Sequence, residues 1–323
     1  MIVVAGEALV DLVIDTAGAV AAKLGGGPYN VARTIGRLGR SVTFLGAISN
    51  DRFGSQLFAQ LAADGVSADA TVRTDLPTTL AAAELNDHGA ATYHFYLAGT
   101  SAPSLTEVPA AALAPEAVHA GTLGLALEPM ASTLVGYLQG LPNDTMVMID
   151  PNCRAGVITD RAAYVRRVDE ACRRADVVKV SNDDTEYLAP GVDPLVYARA
   201  LTAGGVALVL VTCGADGTWV ITAAGEQLVP AQRIEVADTI GAGDSFGGGF
   251  LTWWLGAGFG RSQLADPALA AQATAISGAS VCPRTSSAMS MARRTLPAFM
   301  AKVPDSASRV MRDDAVPTRI RPV

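Results

Sequence analysis

The chain has 323 residues, of which 50% are hydrophobic, so it is long and apolar enough for one large domain with a sizeable core. Its formal net charge of −7 argues against a nucleic-acid-binding surface, and no apolar run approaches the roughly 20 residues that span a membrane. The four cysteines are widely spaced and form no Cys-x-x-Cys pair, which argues against a zinc site or a disulfide framework. A reducing cytoplasm is therefore the expected compartment.

The first third of the chain alternates apolar runs with helical patterns. Residues 1–5 and 42–48 are apolar and predict two core strands. A signal peptide carries a basic segment before its apolar run, and residues 1–5 have none. This first apolar run is therefore interpreted as a strand and not as a signal peptide. Apolar residues recur at helical spacing from Val31 to Leu38, and Asp51 opens a second predicted helix.

Residues 71–96 have a different character. They are rich in threonine, and apolar and polar side chains alternate near residue 93, which predicts half-buried strands. Together with residues 11–24 they are expected to form a small separate β-sheet. His88 and His94 fall in this region, and polar strand positions are a better interpretation for both than a ligand or a base.

The second half of the chain predicts parallel strands with crossover helices. The predicted strands are residues 145–149, 177–180, 208–212 and 219–222, and the predicted helix is residues 161–174. Ligands in such sheets bind beyond the carboxyl ends of the strands. Three polar segments follow these ends and are candidates for the site: residues 150–154, 179–186 and 212–217.

The most informative segment is residues 238–250. Gly241 and Gly243 permit a tight turn, and the apolar run after Asp244 predicts a buried helix. The unpaired N–H groups and the dipole at the start of such a helix suit a phosphate. Asp244 would be repelled by that anion, unless it accepts a proton from a hydroxyl that attacks phosphate. The alternative is an ordinary capping aspartate.

This segment resembles the signature of the ribokinase-like PfkB carbohydrate kinases, Asp-Thr-x-Gly-Ala-Gly-Asp-x-Phe, at every fixed position. Residues 25–32 resemble the second family signature, Gly-Gly-x-x-x-Asn-x-Ala, and residues 150–154 resemble the Asp-Pro-Asn-x-Arg of fructokinases. The resemblance covers about residues 1–302. It implies that Gly241, Ala242 and Gly243 form an anion hole and that Asp244 is the catalytic base.

The resemblance also implies further site residues. Those expected to bind the sugar are Asp11, Gly25, Gly26, Asn30, Tyr96 and Arg154. Those expected to bind ATP, in addition to Gly241 and Gly243, are Lys179, Ser181, Thr212, Gly214 and Gly217. Asp184 is the candidate for holding Mg²⁺ through water, with an acidic helix cap as the alternative, and Asp238 is the candidate for a monovalent cation such as K⁺. Leu97 stands where acid-sugar kinases tend to carry arginine, which favours a neutral sugar.

The implied fold is α/β: a ribokinase-like three-layer αβα sandwich with a mostly parallel central sheet and a small β-sheet lid. The core would comprise residues 1–10, 28–68 and 105–303, the lid residues 11–27 and 69–104, and a tail residues 304–323. The expected partners are a small-molecule sugar and ATP, with a homodimer formed through the lid. Neither nucleic acid nor a membrane is expected as a partner.

The implied function is ATP-dependent phosphorylation of a sugar hydroxyl, with fructose as the favoured substrate. Ribokinase, 2-keto-3-deoxygluconate kinase and nucleoside kinase activities remain alternatives within the family. A non-catalytic sugar sensor would not need Asp244, which argues against that interpretation. An oxidoreductase is disfavoured because residues 212–217 only partly imitate the dinucleotide-binding glycine pattern.

Overall fold

The computed structural model describes residues 1–85, 91–232 and 241–279. The strands in these residues are β1 Ile2–Ala5, β2 Leu9–Ile14, β3 Val20–Gly25, β4 Val42–Ser49, β5 Thr71–Thr74, β6 Leu80–Leu85, β7 Ala91–Tyr96, β8 Ala117–Gly121, β9 Met146–Asp150, β10 Val177–Ser181, β11 Leu208–Thr212, β12 Thr218–Thr222 and β13 Gly225–Val229. The helices are α1 Gly27–Arg37, α2 Arg52–Ala63, α3 Met130–Gly140, α4 Arg161–Arg174, α5 Asn182–Leu188, α6 Pro194–Ala203, α7 Ala242–Gly256 and α8 Pro267–Ala279.

Nine strands form the central sheet, in the order β13-β12-β11-β10-β9-β8-β1-β4-β5. All neighbours run parallel except for the antiparallel pairs β11–β12 and β12–β13. Both faces are covered, as parallel sheets require, and β1 shows this directly. Its residues Ile2 and Val4 belong to the hydrophobic core on one face, whereas Val3 and Ala5 belong to the core on the other.

Helices α1, α2, α7 and α8 pack on the first face, and α3, α4, α5 and α6 pack on the second. The predicted three-layer α/β sandwich is therefore confirmed. The glycines of α7 let it lie close to α1, since a Cβ at Gly248 would be only 3.0 Å from Thr34 Cβ and from the Val31 carbonyl oxygen. This close packing holds the amino-terminal ends of α1 and α7 side by side.

A separate four-stranded sheet has the order β3-β2-β6-β7 and corresponds to the predicted lid. One part of that prediction is wrong, because β5 pairs in parallel with β4 and extends the central sheet. Alternation of polar and apolar residues indicates a half-buried strand, but it does not specify which sheet the strand joins. The lid strand β2 also begins at Leu9, two residues before the predicted boundary.

Local capping signals are confirmed by the hydrogen bonds at the helix ends. Asp51 accepts a bond from Gly54 N at 2.8 Å, and Asp160 accepts one from Ala163 N at 2.9 Å. His88, Asp238 and all residues beyond 279, including the predicted tail, lie outside the described residues. Among the residues that are described, no helix is both long and apolar enough to cross a membrane.

Candidate active site

Most of the sequence-predicted site residues that the structure describes meet at one edge of the central sheet, beneath the lid. The carboxyl ends of β8, β9, β10 and β11 and the amino-terminal ends of α1 and α7 face this edge. Asp11 and Gly25 come from the lid strands β2 and β3, which pair in antiparallel register so that Leu9 lies opposite Gly25.

Asp244 lies in the first turn of α7. Gly241 precedes the helix with φ +75°, a left-handed conformation that suits glycine, and no side chain of a described residue caps the helix. The capping alternative for Asp244 is therefore not what the structure shows. Instead, Asn30 Nδ2 donates to Asp244 Oδ2 at 3.0 Å. Asp244 Oδ1 accepts no hydrogen bond from a described residue.

Burial raises the pKa of Asp244 to about 6. The carboxylate of Asp150 acts in the same direction, whereas the hydrogen bond from Asn30 and the charges of Lys179 and Arg154 act against it. At neutral pH the side chain is therefore mostly ionised but only weakly stabilised in that form. A carboxylate with a pKa close to the working pH and one open oxygen can act as a general base.

Glu7 organises the start of α1, and sequence analysis did not assign it a role. The helix begins after Gly26, which has φ +111° and offers no capping side chain. The buried Glu7 supplies the missing acceptor, since Oε1 accepts from Gly27 N at 2.9 Å and Oε2 accepts from Gly124 N at 3.2 Å. Burial raises the Glu7 pKa to about 8. The sequence contains one indication of this role, because Glu7 is a charged residue that closely follows the buried strand β1.

A cavity of about 200 Å³ opens between the lid and the core. It is lined by residues from both, including Asp11, Lys23, Gly25, Asn30, Arg33, Arg37, Tyr93, Gly241 and Ser245. A Cβ at Gly25 would collide with Asp11 Oδ2, so a larger residue there would displace the Asp11 carboxylate. Burial raises the pKa of Asp11 to about 6, although the charges of Lys23 and Arg154 oppose the shift.

The aromatic residue that lines this cavity is Tyr93 and not Tyr96. Successive side chains of a strand point to opposite faces, so Tyr93 stacks on Phe95 while Tyr96 lies on the outer face and is 60% exposed. His94 is also on the outer face, with Nε2 3.8 Å from Glu84 Oε1. The alternation of residues along β7 could have predicted Tyr93 as the cavity residue. The resemblance to fructokinases predicted Tyr96 instead.

Arg154 follows β9 at the open edge of the site. It is exposed, and its side chain makes no hydrogen bond or ion pair with the part of the chain that is described. Burial raises the pKa values of four surrounding carboxyl groups, those of Glu7, Asp11, Asp150 and Asp244, and the charge of Arg154 opposes each rise. Arg154 is thus positioned to meet an anion that enters this edge.

Lys179, predicted to bind ATP, is buried under the first turn of α7. Its Nζ lies 2.7 Å from Asp150 Oδ2, and a Cβ at Gly243 would be 3.2 Å from the same nitrogen. Although burial works to lower it, the pKa of Lys179 is raised because the Asp150 carboxylate stabilises the ammonium ion. The ammonium group has three N–H donors and only one of them is bonded to Asp150, so this pair does not exclude a further contact, and the ATP contact stays a prediction.

Ser181 and Asp184 form the capping box of α5. Asp184 Oδ2 accepts from Ser181 N at 2.8 Å and from Ser181 Oγ at 2.6 Å, and Oδ1 accepts from Cys153 N at 2.6 Å. The alternative of an acidic helix cap therefore describes what Asp184 does in the protein alone. Its predicted role with Mg²⁺ stays a prediction, and no cluster of three metal-ligating side chains occurs among the residues with described positions.

The other predicted ATP residues lie next to this cap. Thr212, at the end of β11, pairs in register with Ser181, and Gly214 follows with φ +56°. Gly217 has a structural reason to be glycine, because a Cβ there would collide with the Val229 carbonyl oxygen. The structure thus brings the predicted ATP segment to the same sheet edge as Asp244.

Known proteins share both the sequence pattern and this architecture. The chain matches the pfkB family carbohydrate kinases over residues 1–285. It is 33% identical over 257 residues to a fructokinase from Rhizobium leguminosarum bv. trifolii, and the match covers 78% of each chain. A fructokinase with bound ATP from Xylella fastidiosa superposes with a TM-score of 0.82 at 26% identity, covering 93% of this chain and 98% of that one.

A fructokinase from Vibrio cholerae O395, in a form that binds fructose, ADP and a calcium ion, superposes with a TM-score of 0.77. The two chains are 26% identical, and the superposition covers 93% of this chain and 98% of that one. The sandwich, the lid and these relatives define an ATP-dependent carbohydrate kinase. The chain belongs to the pfkB family of carbohydrate kinases, which confirms the family that the two signatures predict.

Proposed function

We propose that the protein transfers the γ-phosphoryl group of ATP to a hydroxyl of D-fructose, with Asp244 as the general base. The observation that carries this proposal is the geometry of Asp244. One carboxylate oxygen is held by Asn30 at 3.0 Å, and the other accepts no hydrogen bond from a described residue, at the start of a helix whose N-cap is a glycine. The fructokinase relatives support the choice of sugar.

In the proposed reaction, Asp244 Oδ1 accepts the proton of the sugar hydroxyl as its oxygen attacks phosphorus. Asn30 keeps the carboxylate in place during this transfer. The first-turn N–H groups of α7, from Ala242 onwards, point out of the helix and would stabilise the negative charge on the moving phosphoryl group. Positioning and electrostatics supply most of the acceleration in phosphoryl transfer, which suits a site built from a helix end and one base.

The lid residue Asp11 and the α1 residue Asn30 would hold the sugar. An ionised Asp11 offers only acceptors, and the amide of Asn30 offers both a donor and an acceptor, so together they can bind neutral hydroxyls. Leu97 packs in an apolar cluster with Leu9 and Ala81 and provides no partner for a carboxylate.

Two arginines also line the cavity, but both are engaged with an acidic residue. Arg33 Nε lies 2.6 Å from Asp64 Oδ2, and Arg37 Nε lies 2.7 Å from Asp64 Oδ1. Asp64 carries one negative charge and therefore compensates only one of these two positive charges. The choice of a neutral ketohexose over a sugar acid thus rests on Leu97 and on the fructokinase relatives.

ATP would lie on the side of Asp244 that faces β10 and β11. Mg²⁺ would come with its phosphates, because kinases usually hold this ion through one or two carboxylates and the nucleotide. Asp184 fits an indirect role of this kind, since both of its oxygens already accept protein hydrogen bonds. When bound, the ion neutralises phosphate charge, while this chain supplies the base and the oriented amides.

An ATP-consumption screen tests the proposal. Purified protein with Mg²⁺ is assayed against D-fructose, D-ribose, 2-keto-3-deoxygluconate and nucleosides, in K⁺ and in Na⁺ buffers. We expect the highest kcat/KM with fructose. A higher value with the sugar acid would overturn the choice of substrate, and absence of turnover with every compound would overturn the kinase assignment. Isothermal titration should show binding of ATP and not of NAD.

A further inference from the structure

Two residues at the site have strained backbone conformations. Thr122 directly follows β8 with φ +53°, and Asn152 follows β9 with φ +40°. They are the two non-glycine residues with positive φ in residues 1–85, 91–232 and 241–279. Asparagine tolerates this region, but it is strongly unfavourable for a β-branched residue such as threonine. Strain of this kind persists where the surroundings impose it, and it clusters at functional sites.

The turn that contains Thr122 is fixed at both ends by contacts with neighbouring segments. Gly121 packs directly against the Asp150 backbone, so a Cβ at this glycine would collide with the Asp150 carbonyl oxygen. At the other end, Glu7 Oε2 accepts from Gly124 N at 3.2 Å. Thr122 itself is 7% exposed. The conformation is therefore imposed by packing on a residue type that does not favour it.

The hydroxyl of Thr122 and Oδ1 of Asp244 both approach the start of α1. A Cβ placed on Gly27 would be 2.6 Å from Thr122 Oγ1 and 3.4 Å from Asp244 Oδ1, so both atoms border the same point of the backbone. Asn152 Nδ2 donates to Thr122 Oγ1 at 3.5 Å, and the hydroxyl proton has no acceptor among the described residues. Thr122 thus offers a donor next to the base.

We infer that Thr122 is a substrate-contacting residue that donates a hydrogen bond to the sugar hydroxyl adjacent to the one that is phosphorylated. The inference rests on the proposed function. A hydrogen bond donated to the attacking oxygen would occupy its lone pair and weaken it as a nucleophile. A hydrogen bond donated to the neighbouring hydroxyl orients the sugar and leaves that lone pair free. Asp11 and Asp244 are acceptors when ionised, so the sugar needs donors from elsewhere, and Thr122 and Asn30 supply them.

Two variants test this role. Thr122→Val keeps the shape and the β-branch but removes the hydroxyl, whereas Thr122→Ser keeps the hydroxyl and is the matched control. With D-fructose, we expect Thr122→Val to lower kcat/KM roughly 5- to 150-fold, the loss expected for one unpaired buried hydrogen-bonding group. Thr122→Ser should retain most of the wild-type value. The variants are compared on D-fructose and on its monodeoxy analogues.

The monodeoxy series separates a substrate contact from a general structural defect. For the analogue that lacks the contacted hydroxyl, wild type and Thr122→Val should have equal kcat/KM. An equal loss on every analogue, or no loss on fructose, would overturn the inference. A wild-type enzyme that phosphorylates no sugar would overturn the proposed function instead.

Thr122→Gly tests the strain independently of the substrate. Glycine adopts positive φ freely, so the Tm should be no lower than that of wild type even though a buried side chain is lost. Activity on fructose should fall as it does in Thr122→Val. A Tm loss as large as the lost buried side chain alone accounts for would show that relief of strain contributes nothing, and it would overturn the strain argument.

Discussion

Replacing Asp244 by asparagine removes the proposed base while the shape of its side chain is kept. The carboxylate is 7% exposed, and its only hydrogen bond within the described residues comes from Asn30 Nδ2 at 3.0 Å. An asparagine oxygen can accept this bond, so the side chain should keep its position. The Asn variant should therefore bind fructose and ATP roughly as wild type does.

The expected loss of turnover follows from the role of the base. General-base contributions are typically about 100- to 10,000-fold, which corresponds to about 2.7–5.4 kcal/mol of transition-state free energy. The assay is steady-state ATP consumption with fructose, with isothermal titration of both substrates as the control for binding. A variant that retains more than about a tenth of the wild-type rate, well short of that range, would refute the assignment of Asp244 as the base.

The pH dependence provides a second measurement on the same residue. Burial raises the Asp244 pKa to about 6, and below this pH the protonated carboxyl group cannot accept a proton. Wild-type kcat/KM should therefore fall about tenfold per pH unit as the pH decreases below about 6. Burial also raises the pKa values of Asp11, to about 6, and of Glu7, to about 8. The midpoint of the pH profile therefore reflects Asp244 together with these two carboxyl groups.

The same shift predicts how stability changes with pH. The pKa of Asp244 is higher in the folded protein than its ordinary value of 3.8, so its contribution to stability is lost as the pH rises through about 6. Asparagine does not titrate, so the Asp244→Asn variant does not lose stability in this way. The variant should be more stable than wild type at pH 8, on the order of 2–3 kcal/mol, and the difference should vanish near pH 4. A constant difference across this range would contradict the raised pKa.

Three further predictions concern the sugar site, the buried ion pair and the lid. Asp11→Ala should lower kcat/KM for fructose by about 5- to 150-fold, since about 1–3 kcal/mol is lost with one buried hydrogen-bonding group, and unchanged kinetics would contradict the sugar contact. Lys179→Met should destabilise the fold by about 3–5 kcal/mol in urea denaturation, because it leaves Asp150 buried and unpaired, and adding Asp150→Leu should recover part of the loss. An unchanged urea midpoint would show that the pair is not needed. The outer face of the lid exposes Val20 and Tyr96, so light scattering should show a homodimer, and hydrogen exchange in the lid should slow when fructose binds. A strict monomer at high concentration, or unchanged exchange, would contradict these expectations.

Local signals in the sequence predicted much of the fold. The helix predicted at residues 161–174 is α4, with Asp160 as its cap, and the strand predicted at residues 208–212 is β11. These elements are specified by short-range rules, namely hydrophobic periodicity and capping chemistry, which operate within a few residues. The assignment of β5 to the lid failed because pairing with β4 depends on a partner that no local rule identifies.

The sequence by itself also determined the family and the chemical identity of the candidate site. The glycines before Asp244 need unusual backbone angles, and Asn30 carries an amide at the position that the signature predicts. These requirements are local, so they are visible in the order of the residues.

The tertiary structure alone decided which groups meet. Asn30 and Asp244 are 214 positions apart and hydrogen-bonded, and Glu7 holds Gly124 from 117 positions away. Lys179 is predicted from the sequence to bind ATP, and only the structure shows that it lies buried against Asp150. The burial that raises the pKa of Asp244, and the packing that imposes a left-handed conformation on Thr122, arise from the stacking of α1, α7 and the strand ends. Such contacts depend on the packing of distant segments, and the order of residues does not reveal them.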